Sequence, residues 1–276
     1  APMYKSLATI ALTITILTIL LTYLINRKNP FRVFSTLKNQ KQIYLHLGLL
    51  AIILFVNKLE LQLESTFTNP SDFSGLFFSY EHTILPVIQS TFRYHLLTEI
   101  TTFFYIIMFV TLIAISLVTY LLNREWKLLY TFLYAIGLNY IIAIPFYLFF
   151  PINEAWVNHP DITFLIPAVY PGFESQYRNI SGLHNCFPSL HNSISLTVLL
   201  ISTRSSSFLF RSVFYISVPI IMFSTIYLGI HWLTDMAAGI LLAVFATWTA
   251  SQITEKIILR EKRKVPLINS YESPLE

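Results

Sequence analysis

With 55% of its 276 residues hydrophobic and only 12% charged, this chain is too poor in charge for a soluble globular domain, which carries about 25%. Its mean hydropathy of +0.62 is that of a polytopic membrane protein, with room for about seven spans of ~20 residues. The net charge of +4 gathers in loops between apolar segments rather than on a face with exposed aromatics, which argues against nucleic-acid binding; a single cysteine, Cys186, excludes an internal disulfide.

In chain order, Ala1-Pro2 ahead of Met3 reads as a cloning or cleavage remnant and is set aside. Residues 6–25 form an apolar span with no small-residue cleavage site behind it, so an uncleaved anchor is expected. Further apolar segments fall at about 43–59, 98–122, 128–150, 189–203, 210–229 and 232–254. The expected organisation is an N-terminal anchor and basic loop over 1–42, a six-helix membrane domain over 43–256, and a basic, polar tail over 257–276. Of the 18 Lys and Arg residues, 14 lie in 27–41, 124–127, 204–211 and 256–264, which are alternate loops. The positive-inside rule therefore puts the N-terminus outside and the C-terminus in the cytoplasm of a multi-pass plasma-membrane protein. The outer segment 60–97, broken by Pro70, Gly75 and Pro86, reads as an interfacial cover, and the outer loop 151–187 as a lid above an embedded site.

Two stretches carry chemistry. Cys186-Phe187-Pro188-Ser189-Leu190-His191 precedes one apolar segment, and Ser224-Thr225-Ile226-Tyr227-Leu228-Gly229-Ile230-His231-Trp232-Leu233-Thr234-Asp235 joins the last two. His231 and Asp235 are four apart, so on a helix they share a face, and a carboxylate beside an imidazole fixes its tautomer and leaves the far nitrogen nucleophilic. His191 can then protonate a leaving group. Pro188 is placed in the first turn of its helix, and the N-termini of the helices starting near 189 and 232 are both expected to face one anion-binding pocket. Ionisable groups at membrane depth default to function. Two histidines and a carboxylate could also form an open iron or zinc site.

The pattern Pro-Ser-x-His followed by Ser-x-x-Tyr-x-Gly-x-His-x-x-x-Asp resembles the second and third motifs of the type-2 phosphatidic acid phosphatase superfamily, over roughly residues 98–256. That resemblance implies an all-α integral membrane fold, the six-helix core of the superfamily plus the N-terminal anchor helix, and a metal-independent enzyme without cofactors. His231 would be the nucleophile forming a phosphohistidine, Asp235 its orienting partner and His191 the acid and base. Ser189, Gly229, Tyr227, Asn139, His184 and Arg178 would surround the phosphate of a lipid drawn from the bilayer, on the extracytoplasmic side. The superfamily's first motif, Lys-x6-Arg-Pro, has no counterpart in 139–151, and Thr225 stands where the third motif has Arg. Arg178 is the obvious replacement cation and His184 a weaker one. Fewer cations favour a singly charged diester over a monoester. The chain thus resembles the inositol phosphorylceramide synthase and sphingomyelin synthase branch, and a phosphodiester head-group transferase or phospholipase C-like hydrolase is expected. The alternatives are a phosphatase of phosphatidate or polyprenyl (di)phosphate and, from another class, a non-catalytic lipid transporter.

Overall fold

Apolar runs of about twenty residues whose hydroxyl groups fold back onto their own backbone become membrane-length helices. Thr13, Thr15, Thr111, Ser116 and Ser224 each donate to the carbonyl four residues earlier, so no hydroxyl needs water at those positions. The computed structural model describes residues 6–38, 40–64, 72–177 and 182–264. The protein is all-α, and the sole β pairing among the described residues is an isolated bridge between Ile152 and Asn185.

The helices run α1 (Leu7–Asn26), α2 (Arg32–Lys38), α3 (Lys41–Glu64), α4 (Ser74–Glu81), α5 (Ile84–Thr91), α6 (His95–Phe103) and α7 (Phe109–Asn123). They continue with α8 (Trp126–Phe149), α9 (Ala155–Asn158), α10 (Phe173–Tyr177), α11 (Leu190–Ser202), α12 (Phe208–Tyr227) and α13 (Leu233–Lys264). A π-helical stretch, Phe104–Met108, joins α6 to α7 in one continuous rod. Among the described residues six helices are long and apolar enough to cross a membrane, and α11 is a shorter apolar helix beside them. Ser6 and Ser207 cap α1 and α12 with their hydroxyls, and Arg27 and Arg124 close α1 and α7 in the left-handed conformation. α13 continues through 256 without a break, so the expected start of a separate tail falls inside a helix; residues 265–276 lie outside the described residues.

α11 is the hub, packed against α7, α8, α12 and α13. Its 13 residues rise only ~20 Å, short of a ~30 Å hydrocarbon core, and Ser189, Asn192 and Ser193 at its start are fully buried. The main apolar core joins α7, α8, α11 and α12 through residues such as Leu112, Phe132, Ile194 and Phe214. At one end of it, the segment 151–187, expected from the sequence to be an outer loop, is not a loose lid where it is described. Ala155, Trp156 and Leu165 donate their backbone N–H groups to the carbonyls of Ile230, Gly229 and Leu228 at 2.9, 3.0 and 3.2 Å. This loop is built onto the segment that carries His231.

Candidate active site

α11 begins two residues later than the sequence suggested. Ser189 is its N-cap, accepting weakly from the Asn192 N–H at 3.4 Å, and Pro188 sits one residue before the cap. The Pro188 carbonyl accepts the Tyr147 hydroxyl at 3.0 Å, which ties this corner to α8. The Asn192 side-chain amide donates to Ser189 Oγ at 2.9 Å and to Thr225 Oγ1 at 3.0 Å. Thr225, where the related motif has Arg, is therefore fully buried behind the site and donates to the Met222 carbonyl.

His231 lies in the turn between α12 and α13, its N–H bonded to the Thr225 carbonyl at 3.0 Å. Its Nδ1 is 3.3 Å from Asp235 Oδ2 and its Nε2 is 3.2 Å from Ser189 Oγ. A carboxylate only accepts, so the proton belongs on Nδ1. Nε2 then carries the lone pair and receives the Ser189 O–H, whose oxygen is already accepting from Asn192. Asp235 is fully buried; Oδ2 also accepts the Trp232 N–H at 3.0 Å, while Oδ1 has no hydrogen-bond partner among the described residues. The His191 ring centroid is 6.4 Å from that of His231. The His191 ring is stacked on Tyr105 at 4.1 Å and leans on Phe109 at 4.3 Å, and its Nε2 has no hydrogen-bond partner among the described residues. Tyr105 lies within the π-helical stretch and Phe109 directly follows it, a distortion frequent at functional sites.

Both imidazoles line a cavity of about 170 Å³, together with Asn57, Tyr105, Tyr140, Tyr147, Glu154 and Cys186. Among the described residues no Lys or Arg lines it. It has the size of a phosphate group with a few waters, since a water occupies ~30 Å³. Beside it, Phe77, Pro145, Phe146, Phe149, Phe150, Phe187 and Thr234 enclose an apolar groove of about 540 Å³.

The other sequence candidates are placed elsewhere. Asn139 is buried between α8 and α11, donating to Thr197 Oγ1 at 3.1 Å and accepting from Ser193 Oγ. The Tyr227 hydroxyl pairs with Thr98 Oγ1 at 2.9 Å inside an apolar cluster. His184 faces Asn153 Oδ1 in the outer loop. Gly229 adopts φ +83°, and a Cβ there would meet the Thr163 carbonyl at 2.7 Å, so the close approach is to the outer loop rather than to the cavity. Arg178 lies outside the described residues. The expected pair of open helix N-termini is reduced to one. The first N–H groups of α13, on Leu233 and Thr234, are taken by the Glu81 carboxylate at 2.6 and 2.8 Å.

Cys186 Sγ, a His231 nitrogen and an Asp235 oxygen lie within 4.8 Å of one another, a donor set that could hold a metal ion. It differs from the two-histidine set considered from sequence, because Cys186 takes the place of His191. Sequence reasoning also missed Asn57, Tyr105, Tyr140, Tyr147, Glu154 and Glu81. The one available signal was spacing: Tyr140 and Tyr147 stand seven apart on α8, as do the Lys and Arg of the missing first motif.

With this geometry in hand, comparison with known families gives one decisive match: a profile of the PAP2 superfamily covers residues 75–249. The chain belongs to the PAP2 superfamily. The match begins ahead of the motif-based limit near 98, so the superfamily domain takes in α4 and α5. Among solved structures, the chain is similar to the crystal structure of Aquifex aeolicus LpxE, with 19% identity over 62% of this chain and 93% of that one, and a TM-score of 0.48. No curated protein sequence matches it. Membership of the PAP2 superfamily supports a membrane lipid phosphatase at the coarsest level.

Proposed function

We propose that the protein transfers a phosphoryl-containing group from a membrane lipid through a phosphohistidine on His231, without a metal. The supporting observation is the His231 arrangement, with Nδ1 against a buried Asp235 and Nε2 turned to Ser189 at the cavity. Substrate phosphate displaces the Ser189 hydroxyl from Nε2, and that nitrogen attacks phosphorus. The bond from phosphorus to the leaving oxygen breaks, and His191, carrying a proton, gives it to that oxygen. The anionic phosphate supplies the counter-charge that keeps the proton on His191 beforehand. In the second half, neutral His191 takes the proton of an acceptor hydroxyl, whose oxygen attacks phosphorus and frees Nε2. The ring separation of 6.4 Å leaves room for one phosphoryl group between the two imidazoles.

The preferred donor is a phosphodiester lipid, as in a head-group transferase or a phospholipase C-like hydrolase. Neutral donors around the cavity support this reading: Tyr140 is a phenol where a cation would suit a dianion better. Arg178 is proposed as the cation that meets the remaining charge, from the extracytoplasmic side. The Phe-walled groove beside Phe187 and Thr234 would hold an acyl chain while the head group reaches His231. Phosphatidate or polyprenyl phosphate hydrolysis is the second reading, favoured by a cavity sized for phosphate and water.

The test compares a phosphodiester and a phosphomonoester of p-nitrophenol, and the corresponding lipids, in detergent. His231→Ala should abolish turnover and acid-labile labelling of the chain on both. His191→Ala should slow release of a lipid alcohol far more than release of nitrophenol, which hardly needs a proton. A wild type that prefers every monoester over its diester would replace the transferase reading with the phosphatase one.

A further inference from the structure

The segment from Tyr227 to Thr234 carries His231 and is gripped at both ends by two buried side chains of the outer cover. At its start, Gln89 of α5 donates from Nε2 to the Tyr227 carbonyl at 3.0 Å and to the Thr163 carbonyl at 2.8 Å. The same amide accepts the Thr163 N–H on Oε1 at 2.8 Å, so both N–H donors and one of the two acceptor lone pairs are used. At the far end, Glu81, the last residue of α4, accepts the Leu233 and Thr234 N–H groups and the Thr234 hydroxyl. Glu81 is 5% exposed and Gln89 3% exposed. A carboxylate at a helix start satisfies orphan N–H groups and favours the helix dipole, so Glu81 fixes where the first turn of α13 begins. Asp235 stands in that turn, one residue after Thr234.

We infer that Glu81 and Gln89 are positioning residues for the nucleophile: α4 and α5 form a clamp that sets the distance of His231 from Ser189 and the aim of Asp235 at Nδ1. The alternative use of a cover, shielding substrate from water, would not require two buried polar side chains bonded to the backbone on either side of His231. Gly229, in the middle of the gripped segment, is what lets the clamp close. A Cβ there would approach Gln89 Nε2 to 3.3 Å and the Thr163 carbonyl to 2.7 Å. Glu81 also leaves phosphate only the α11 end to bind, because it occupies the α13 end itself.

The inference rests on His231 being the nucleophile, and the experiment separates the two. Full-length Glu81→Ala, Glu81→Gln, Gln89→Leu and Thr234→Val are compared on whichever p-nitrophenyl ester the wild type turns over faster. The readouts are kcat, KM, thermal stability and the fraction of chains that form phosphoenzyme. Misplacing a catalytic group by about 1 Å can cost on the order of 100-fold in rate. Glu81→Ala and Gln89→Leu should therefore lose about 10- to 100-fold in kcat per phosphorylatable chain, with KM within about 3-fold. Glu81→Gln, which keeps an oxygen for Thr234, should recover part of the loss. Where Glu81→Ala does not fold, Thr234→Val removes one hydroxyl contact and should still lower kcat several-fold at unchanged melting temperature. A wild-type kcat in these variants, or a fall fully matched by fewer phosphorylatable chains, would overturn the clamp. Turnover surviving in His231→Ala would overturn the nucleophile assignment and the inference with it, whereas a dead His231→Ala beside normal clamp variants sinks the inference alone.

Discussion

His231 has one nitrogen committed to a carboxylate and the other facing a hydroxyl and a cavity, and the proposed nucleophile role rests on that asymmetry. The same corner holds the chain's one thiol, with Cys186, His231 and Asp235 donors within 4.8 Å. A soft ion bound there would take the His231 lone pair or pull Asp235 from it, so it should inhibit rather than activate. Expected outcome: EDTA leaves turnover unchanged, and added Zn²⁺ or Cd²⁺ slows it in a chelator-reversible way. Loss of activity on chelation, restored by zinc or iron, would make the site a metal centre instead. The three ionisable residues of this site were legible because their types and spacing are rare at membrane depth. Tyr105, Tyr140 and Asn57 were not, since in a chain with 16% aromatic residues nothing marks one tyrosine as facing a cavity. Asn139 and Tyr227 lay within or beside the motifs but spend their polar atoms on Thr197 and Thr98, which periodicity alone cannot reveal.

At the scale of elements, the long spans followed directly from hydropathy, while α4 and α5 did not. Eight residues each, with Pro86 inside α5, they are too short for a helical period to stand out. Their role comes from tertiary bonds. Asp72 shows how the cover is seated: Oδ1 accepts the Ser74 N–H at 2.8 Å, and Oδ2 accepts from Asn153 and Asn158, both at 3.1 Å. Burial pushes the Asp72 carboxyl up, but the bonds from Ser74 and Asn158 and the nearby His184 together hold it below its ordinary value. A lowered pKa adds stability that is present above the unfolded-state value of about 3.9 and fades as pH falls through the folded-state value. Limited proteolysis of the cover should therefore accelerate below about pH 4 in the wild type. Asp72→Asn should be cleaved faster at neutral pH and respond less to acid, with an effect of ~1 kcal/mol or less because the group is largely exposed. Identical acid sensitivity in both proteins would show that Asp72 does not seat the cover.

For the whole molecule, the charges that the sequence scattered over four loops converge on one end of the bundle. Lys28 donates to Asn123 at 2.8 Å, joining the ends of α1 and α7. Lys127 at the start of α8 pairs with Glu255 of α13 at 2.8 Å, and Arg204 after α11 reaches Ser251 of α13 at 2.7 Å. The opposite end holds Ser189, His231, the clamp and the outer loop. Cations on the same side as anionic cytoplasmic lipid are worth ~1 kcal/mol each, so a basic end and a catalytic end this distinct should fix one orientation. Ser175 in α10 and Ser206 in the turn after α11 are both exposed, and Cys186, the native thiol, is buried. In intact cells, Ser175→Cys should react with a membrane-impermeant thiol reagent and Ser206→Cys only after permeabilisation. The reverse pattern would place His231 on the cytoplasmic face, and the lipid donor would then have to be sought in the inner leaflet.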